Sequence, residues 1–131
     1  MRKFICIGLL ITFCYSCSKD SNGGSKFIGK YEVRGSSPDG YMIAYTNELG
    51  DTTYATGKSG WIYQINGDTG HCYNLTIIPG FVFADCNNTT GTINIFFDNA
   101  LKAAKTVSMF TETVPDRFGG MSCGITTSAC N

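Results

Sequence analysis

From Phe27 onward the chain alternates apolar and polar residues with period two, and a turn-forming cluster breaks the alternation roughly every ten residues. In Phe27–Arg34, Phe27, Tyr31 and Val33 interleave with Lys30, Glu32 and Arg34. Successive side chains of a strand point to opposite faces, so this pattern specifies a half-buried strand. The clusters Gly35–Gly40, Asn47–Asp51, Gly57–Gly60 and Asn66–Gly70 then delimit strands over Tyr41–Thr46, Thr52–Thr56 and Trp61–Ile65. Further strands are predicted over Cys72–Ile78, Phe81–Cys86, Thr92–Phe97 and Thr106–Thr113, with a last one around Met121–Thr126. Asp98–Lys102 reads as a loop or a single helical turn. No stretch carries a helical period, and around eight short strands with turns between them specify an all-β antiparallel sandwich, expected to hold about 7–8 strands in its two sheets.

The first residues obey a different logic. Arg2 and Lys3 precede an apolar run from Phe4 to Phe13, which is the charged and hydrophobic layout of an export signal. The run is about half the ~20 residues needed to cross a hydrocarbon core as a helix. The composition turns polar at Cys17-Ser18-Lys19-Asp20. Cys14 follows bulky Phe13, whereas Cys17 follows Ser16, so a small-residue cleavage site selects Cys17 as the lipid attachment point. The stretch resembles the bacterial lipoprotein box, and Cys-Ser-Lys-Asp resembles the start of Bacteroidota lipoproteins. The expected organisation is a signal peptide over residues 1–16, a lipidated cysteine and polar tether over 17–26, and a β-sandwich over 27–131. The expected location is the outer membrane, facing the periplasm or the cell surface. Acyl chains on Cys17 would hold the protein there, since each buried methylene contributes about 0.8 kcal/mol.

Charge and cysteines narrow the function classes. The chain is formally neutral, and removal of Arg2 and Lys3 leaves eight basic against ten acidic residues. Such a balance gives no electrostatic reason for nucleic acid as a partner. Cys72, Cys86, Cys123 and Cys130 fall in the folded domain, an even number that reads as two disulfides in an exported protein. Three pairings are possible. If Cys72–Ile78 and Phe81–Cys86 form a hairpin around Pro79-Gly80, Cys72 faces Cys86, which leaves Cys123 with Cys130. A zinc site of His71, Cys72 and two further cysteines is the alternative, without a CxxC spacing behind it.

No catalytic constellation is legible. His71 and Cys72 are neighbours, so in a strand their side chains diverge. The carboxylates are scattered from Glu32 to Asp116. Asp39, Asp68 and Asp98 sit in turn sequences that suit turn formation better than calcium. No cofactor is expected. The aromatic residues are more suggestive, with Tyr41, Tyr45, Tyr54, Trp61, Tyr63 and Tyr73 in the middle strands. Some must fill the core, and outward ones would form a stacking surface for a glycan or protein, with Trp61, Tyr63 and Tyr45 as the candidate residues. Asp51-Thr52-Thr53 also resembles the short sequon that Bacteroidota glycosylate on exported proteins.

Tyr31–Ser36, Ile43–Gly50, Tyr73–Thr76, Val82–Ala84 and Gly91–Asn99 together resemble the mycobacterial small membrane proteins that assist large lipid transporters. The resemblance runs from about Lys30 to Lys102. It implies an immunoglobulin-like form of the sandwich and an accessory role in an envelope transport complex. Those proteins carry a transmembrane helix where this chain has Cys17. The expectation from the sequence as a whole is a lipid-anchored, non-catalytic binding or adaptor module, with the transport accessory as the alternative and a small hydrolase behind both.

Overall fold

The computed structural model describes residues 25–80, 86–87 and 89–131. The signal, Cys17 and most of the tether lie outside the described residues, as does most of the expected strand Phe81–Cys86. Ten strands follow in order: β1 (Lys26–Ser36), β2 (Tyr41–Thr46), β3 (Thr52–Gly57), β4 (Trp61–Asp68), β5 (Cys72–Pro79), β6 (Thr90–Phe97), β7 (Ala100–Val107), β8 (Thr113–Pro115), β9 (Met121–Cys123) and β10 (Ile125–Cys130). No helix occurs among the described residues. β4-β1-β6-β7 form one four-stranded antiparallel sheet and β10-β5-β2-β3 a second, while β8 and β9 form a small hairpin. The all-β sandwich expected from the alternation is the fold.

The inward positions of both sheets make one core. Tyr31 and Val33 of β1, Ile43 of β2, Leu75 and Ile77 of β5, and Ile93 and Ile95 of β6 are essentially inaccessible to water. Burying each such aliphatic side chain contributes about 1.5–3 kcal/mol. Three buried phenols then bind the opposite sheet. Tyr31 donates to the Thr46 carbonyl at 2.7 Å, and Tyr41 donates to the Thr90 carbonyl at 2.5 Å. Tyr73 donates to the Asp68 carbonyl at 3.1 Å and accepts from the Asp68 N–H at 2.8 Å. A buried hydroxyl needs such a partner, and here each partner is backbone of the facing sheet.

Three expectations are corrected. The first concerns the cysteines: Cys72 pairs with Cys130 and Cys86 with Cys123, not Cys72 with Cys86. β5 has β10 along one edge and β2 along the other. No edge remains for a hairpin partner, and Cys130 is the residue in register with Cys72, with Cα atoms 4.0 Å apart. Zinc ligation by Cys72 goes with the same finding.

The second concerns Asp98–Lys102. Asp98 and Asn99 alone make the turn, both in the left-handed region at φ 48° and 65°. That is the two-residue hairpin geometry that suits sheet twist, and Asp and Asn tolerate it better than most residues. β7 therefore starts at Ala100, although Ala-Leu-Lys-Ala-Ala-Lys favours a helix intrinsically. Pairing with β6 overrides that propensity. A bulge between Ile95 and Phe96 places Lys102 as the extra residue.

The third concerns Thr106–Thr113, which is not one strand. β7 ends at Val107, and Phe110 leaves the alternation to plug the core near Tyr41 and Gly91. The last predicted strand divides at Gly124, where a Cβ would lie 2.4 Å from Val114 and 2.6 Å from the Ile77 carbonyl.

Candidate binding groove and aromatic seam

The outward positions of the β10-β5-β2-β3 sheet are mostly small or polar away from the Met42–Ile78 pair. In register across its four strands stand Tyr54, Ala44, Thr76 and Thr126. With strands about 4.8 Å apart, this row extends roughly 14 Å. Ala44 sits between the longer Tyr54 and Thr76, so the row has a depression at its centre. Thr52 and Asn74 extend the floor toward the N-terminal end of β5, and Pro115 of β8 forms a wall. The β8–β9 hairpin is held over this sheet by Val114, which packs with Met42 and Ile78 in a separate small apolar cluster. The result is a groove of about 290 Å³.

Its chemistry is that of a neutral polar ligand. Among the described residues the lining offers three threonine hydroxyls, one asparagine amide and the two tyrosines Tyr45 and Tyr54, and no carboxylate, ammonium or guanidinium. Thr76 Oγ1 donates to Thr126 Oγ1 at 2.8 Å, which fixes two hydroxyls relative to each other. The Asn74 N–H is engaged by Thr46 Oγ1 at 3.0 Å, so the backbone beneath is already satisfied. Tyr54 is nearly half exposed and presents a ring to solvent.

Trp61, Tyr63 and Tyr45 are brought together in one cluster, and Tyr45 also lines the groove. Trp61 and Tyr63 lie on β4 with inward parity, and β4 is the edge of its sheet. They fill the seam between the edge strands β4 and β3. Their rings are nearly parallel, 9° apart, with centroids 6.0 Å apart, and Tyr45 packs beneath at 5.7 Å and 4.9 Å. Trp61 covers Gly57 of β3, where a Cβ would lie 2.6 Å from the indole. Tyr45 is buried at 6 % exposure and Tyr63 is 43 % exposed. Burial, followed by a hydrogen bond to the Tyr63 phenol, raises the Tyr45 pKa. The trio closes the sandwich edge, with Tyr63 reaching the surface.

The remaining candidate groups are occupied structurally. Cys72 is oxidised, which removes the thiolate from any His71–Cys72 dyad. Buried Glu32 is paired with Arg34. Glu48 accepts the Asn66 N–H and Asp98 accepts the Ile28 N–H, each at 2.9 Å. Among the described residues no three His, Cys, Asp or Glu side chains gather as metal ligands.

Of the groove residues, the sequence singles out Tyr45 as a candidate, Tyr54 as one aromatic among several and Thr52 within a sequon-like triplet, while Asn74 and Thr76 read only as strand residues. Their shared parity on β3 and β5 was the available signal. No family model, no curated protein and no solved structure matches the chain.

Proposed function

We propose that the chain is a lipid-anchored, non-catalytic binding module of the cell envelope, tethered through Cys17, whose groove takes a neutral glycan. The observation that carries this reading is the Tyr54–Ala44–Thr76–Thr126 row. An aromatic ring stacks on the apolar face of a sugar, and uncharged hydroxyl and amide groups exchange hydrogen bonds with its hydroxyls. The test is calorimetric titration with neutral oligosaccharides, after an array has chosen among them. Tyr54→Ala should weaken binding at least tenfold, and Trp61→Ala should alter stability more than affinity. Failure of every neutral glycan to bind, or unchanged affinity in Tyr54→Ala, overturns the reading. The anchor has its own check: a metabolic lipid label should be incorporated by the wild type and absent from Cys17→Ala.

A second reading, an accessory subunit of an envelope complex in an immunoglobulin-like sandwich, draws on the resemblance noted above. One observation favours a protein partner: Phe118 and Met121 stand 71 % and 63 % exposed on the β8–β9 hairpin. Cross-linking in native membranes followed by mass spectrometry tests it, since recovery of a specific integral membrane protein supports this reading and its absence removes it.

A further inference from the structure

The outward face of the other sheet carries a second surface, at the end where the chain enters the domain. Ser25 precedes β1, and its carbonyl accepts the Thr69 N–H at 3.1 Å, which fixes the entry point beside the β4–β5 turn. Three residues on, Ile28 is 54 % exposed. Its N–H and carbonyl both engage Asp98, so it lies against the β6–β7 turn. Beside it runs the row Lys30–Phe96–Leu101, in register across β1, β6 and β7. Leu101 is 56 % exposed, and the Lys30 ammonium lies 4.2 Å above the Phe96 ring. The bulge inserts Lys102 next to Leu101. This corner therefore presents Ile28, Phe96 and Leu101 with Lys26, Lys30 and Lys102 around them. Among the described residues its carboxylates are Asp98, already accepting from Ile28, and Asp68, opposite Lys26 in register.

We infer that this corner rests on the lipid bilayer to which Cys17 is attached. The inference rests on the anchored reading given above. Residues 17–24 separate the lipid from Ser25 and span at most about 28 Å even when fully extended. The first part of the domain within reach of the membrane is thus the corner at the start of β1. Attachment makes the contact intramolecular, so a surface too small to bind lipid alone is occupied once tethered. Apolar side chains flanked by lysines match the interface of a bilayer, where aliphatic groups enter the acyl boundary and ammonium groups meet phosphate. The glycan groove is on the outward face of the opposite sheet, so this docking turns it away from the membrane.

Lysine footprinting of the full acylated protein tests the inference, in vesicles of phosphatidylethanolamine and phosphatidylglycerol with a membrane-impermeant amine reagent. Lys58, in the turn at the far end between β3 and β4, is the internal reference. Lys30 and Lys102 should be labelled at least threefold less, relative to Lys58, than in the Ile28→Ser/Leu101→Ser double variant, whose two sites are exposed. Equal relative labelling in wild type and variant, with Cys17 acylated by intact mass, overturns the docking and leaves the anchor standing. An intact mass showing Cys17 unacylated overturns the anchor and the docking together.

Discussion

Tyr31, Tyr41 and Tyr73 look alike in sequence to the tyrosines that reach the surface, yet each spends its hydroxyl on the backbone of the facing sheet. The chemistry of a single oxygen thus joins the layers. Removing it leaves a buried carbonyl without its donor, and such a group costs about 1–3 kcal/mol. Tyr31→Phe, which keeps the ring and its packing, should lower the unfolding free energy by about that amount, measured by denaturant titration against wild type. Tyr54→Phe removes a hydroxyl from a side chain 46 % exposed and should cost less.

At the level of elements, the β8–β9 hairpin and the two disulfides set how the C-terminal third is held. Asp116 organises the hairpin turn: Oδ1 accepts from Gly120 N–H at 2.9 Å and Phe118 N–H at 2.8 Å, and Oδ2 accepts from Ser122 at 3.1 Å. The backbone bonds from Gly120 and Phe118 are the main cause holding this carboxyl below the usual carboxylate range. A lowered pKa means that the order is complete above the unfolded value and is lost as pH falls through the folded one. Amide exchange at Phe118 and Gly120 should accelerate on acidification below the normal carboxylate range, and Asp116→Asn should abolish that pH dependence. The disulfides enclose longer stretches. Cys72 and Cys130 are 58 residues apart and Cys86 and Cys123 are 37 apart. Chain-entropy arguments assign about 4 kcal/mol to each such link. Cys72→Ala/Cys130→Ala should therefore lose about 2–5 kcal/mol, read by thermal denaturation. A non-reducing peptide map should recover Cys72 joined to Cys130.

At the scale of the whole molecule, the described residues form two four-stranded sheets with the β8–β9 hairpin beside them, closed along one seam by Trp61 and Tyr63 and stitched by buried phenols. This has a consequence for its pH range. Burial raises the pKa of Tyr31, Tyr41 and Tyr45 above the ordinary value of 10.0. A raised folded pKa gives stability that is complete below the unfolded value and declines as pH rises toward the folded one. Denaturation midpoints should hold steady from neutral pH to about 9 and fall steeply above 10. Absorbance titration of the tyrosinates should show a delayed group that ionises only with unfolding. A gradual, fully reversible titration of every tyrosine near pH 10 with no change in fold would contradict the cross-sheet role.

Strand existence was legible in the sequence because period-two alternation and turn chemistry are local. β2 coincides with its expected bounds, β1, β3, β5 and β6 overlap theirs closely, and the all-β sandwich follows from their number. The parity that buries Ile43, Leu75 and Ile93 was equally readable. What failed was decided by partners distant in the chain. β5 lies between β10 and β2, so Cys72 meets Cys130; pairing with β6 makes a strand of Ala100–Val107 despite its helical composition. The groove shows the same division. Sequence placed small polar residues at alternate positions of four separate segments. Only the order of β3, β2, β5 and β10 in one sheet sets Tyr54, Ala44, Thr76 and Thr126 in a line, because register between strands is fixed by long-range packing and not by the residues beside them.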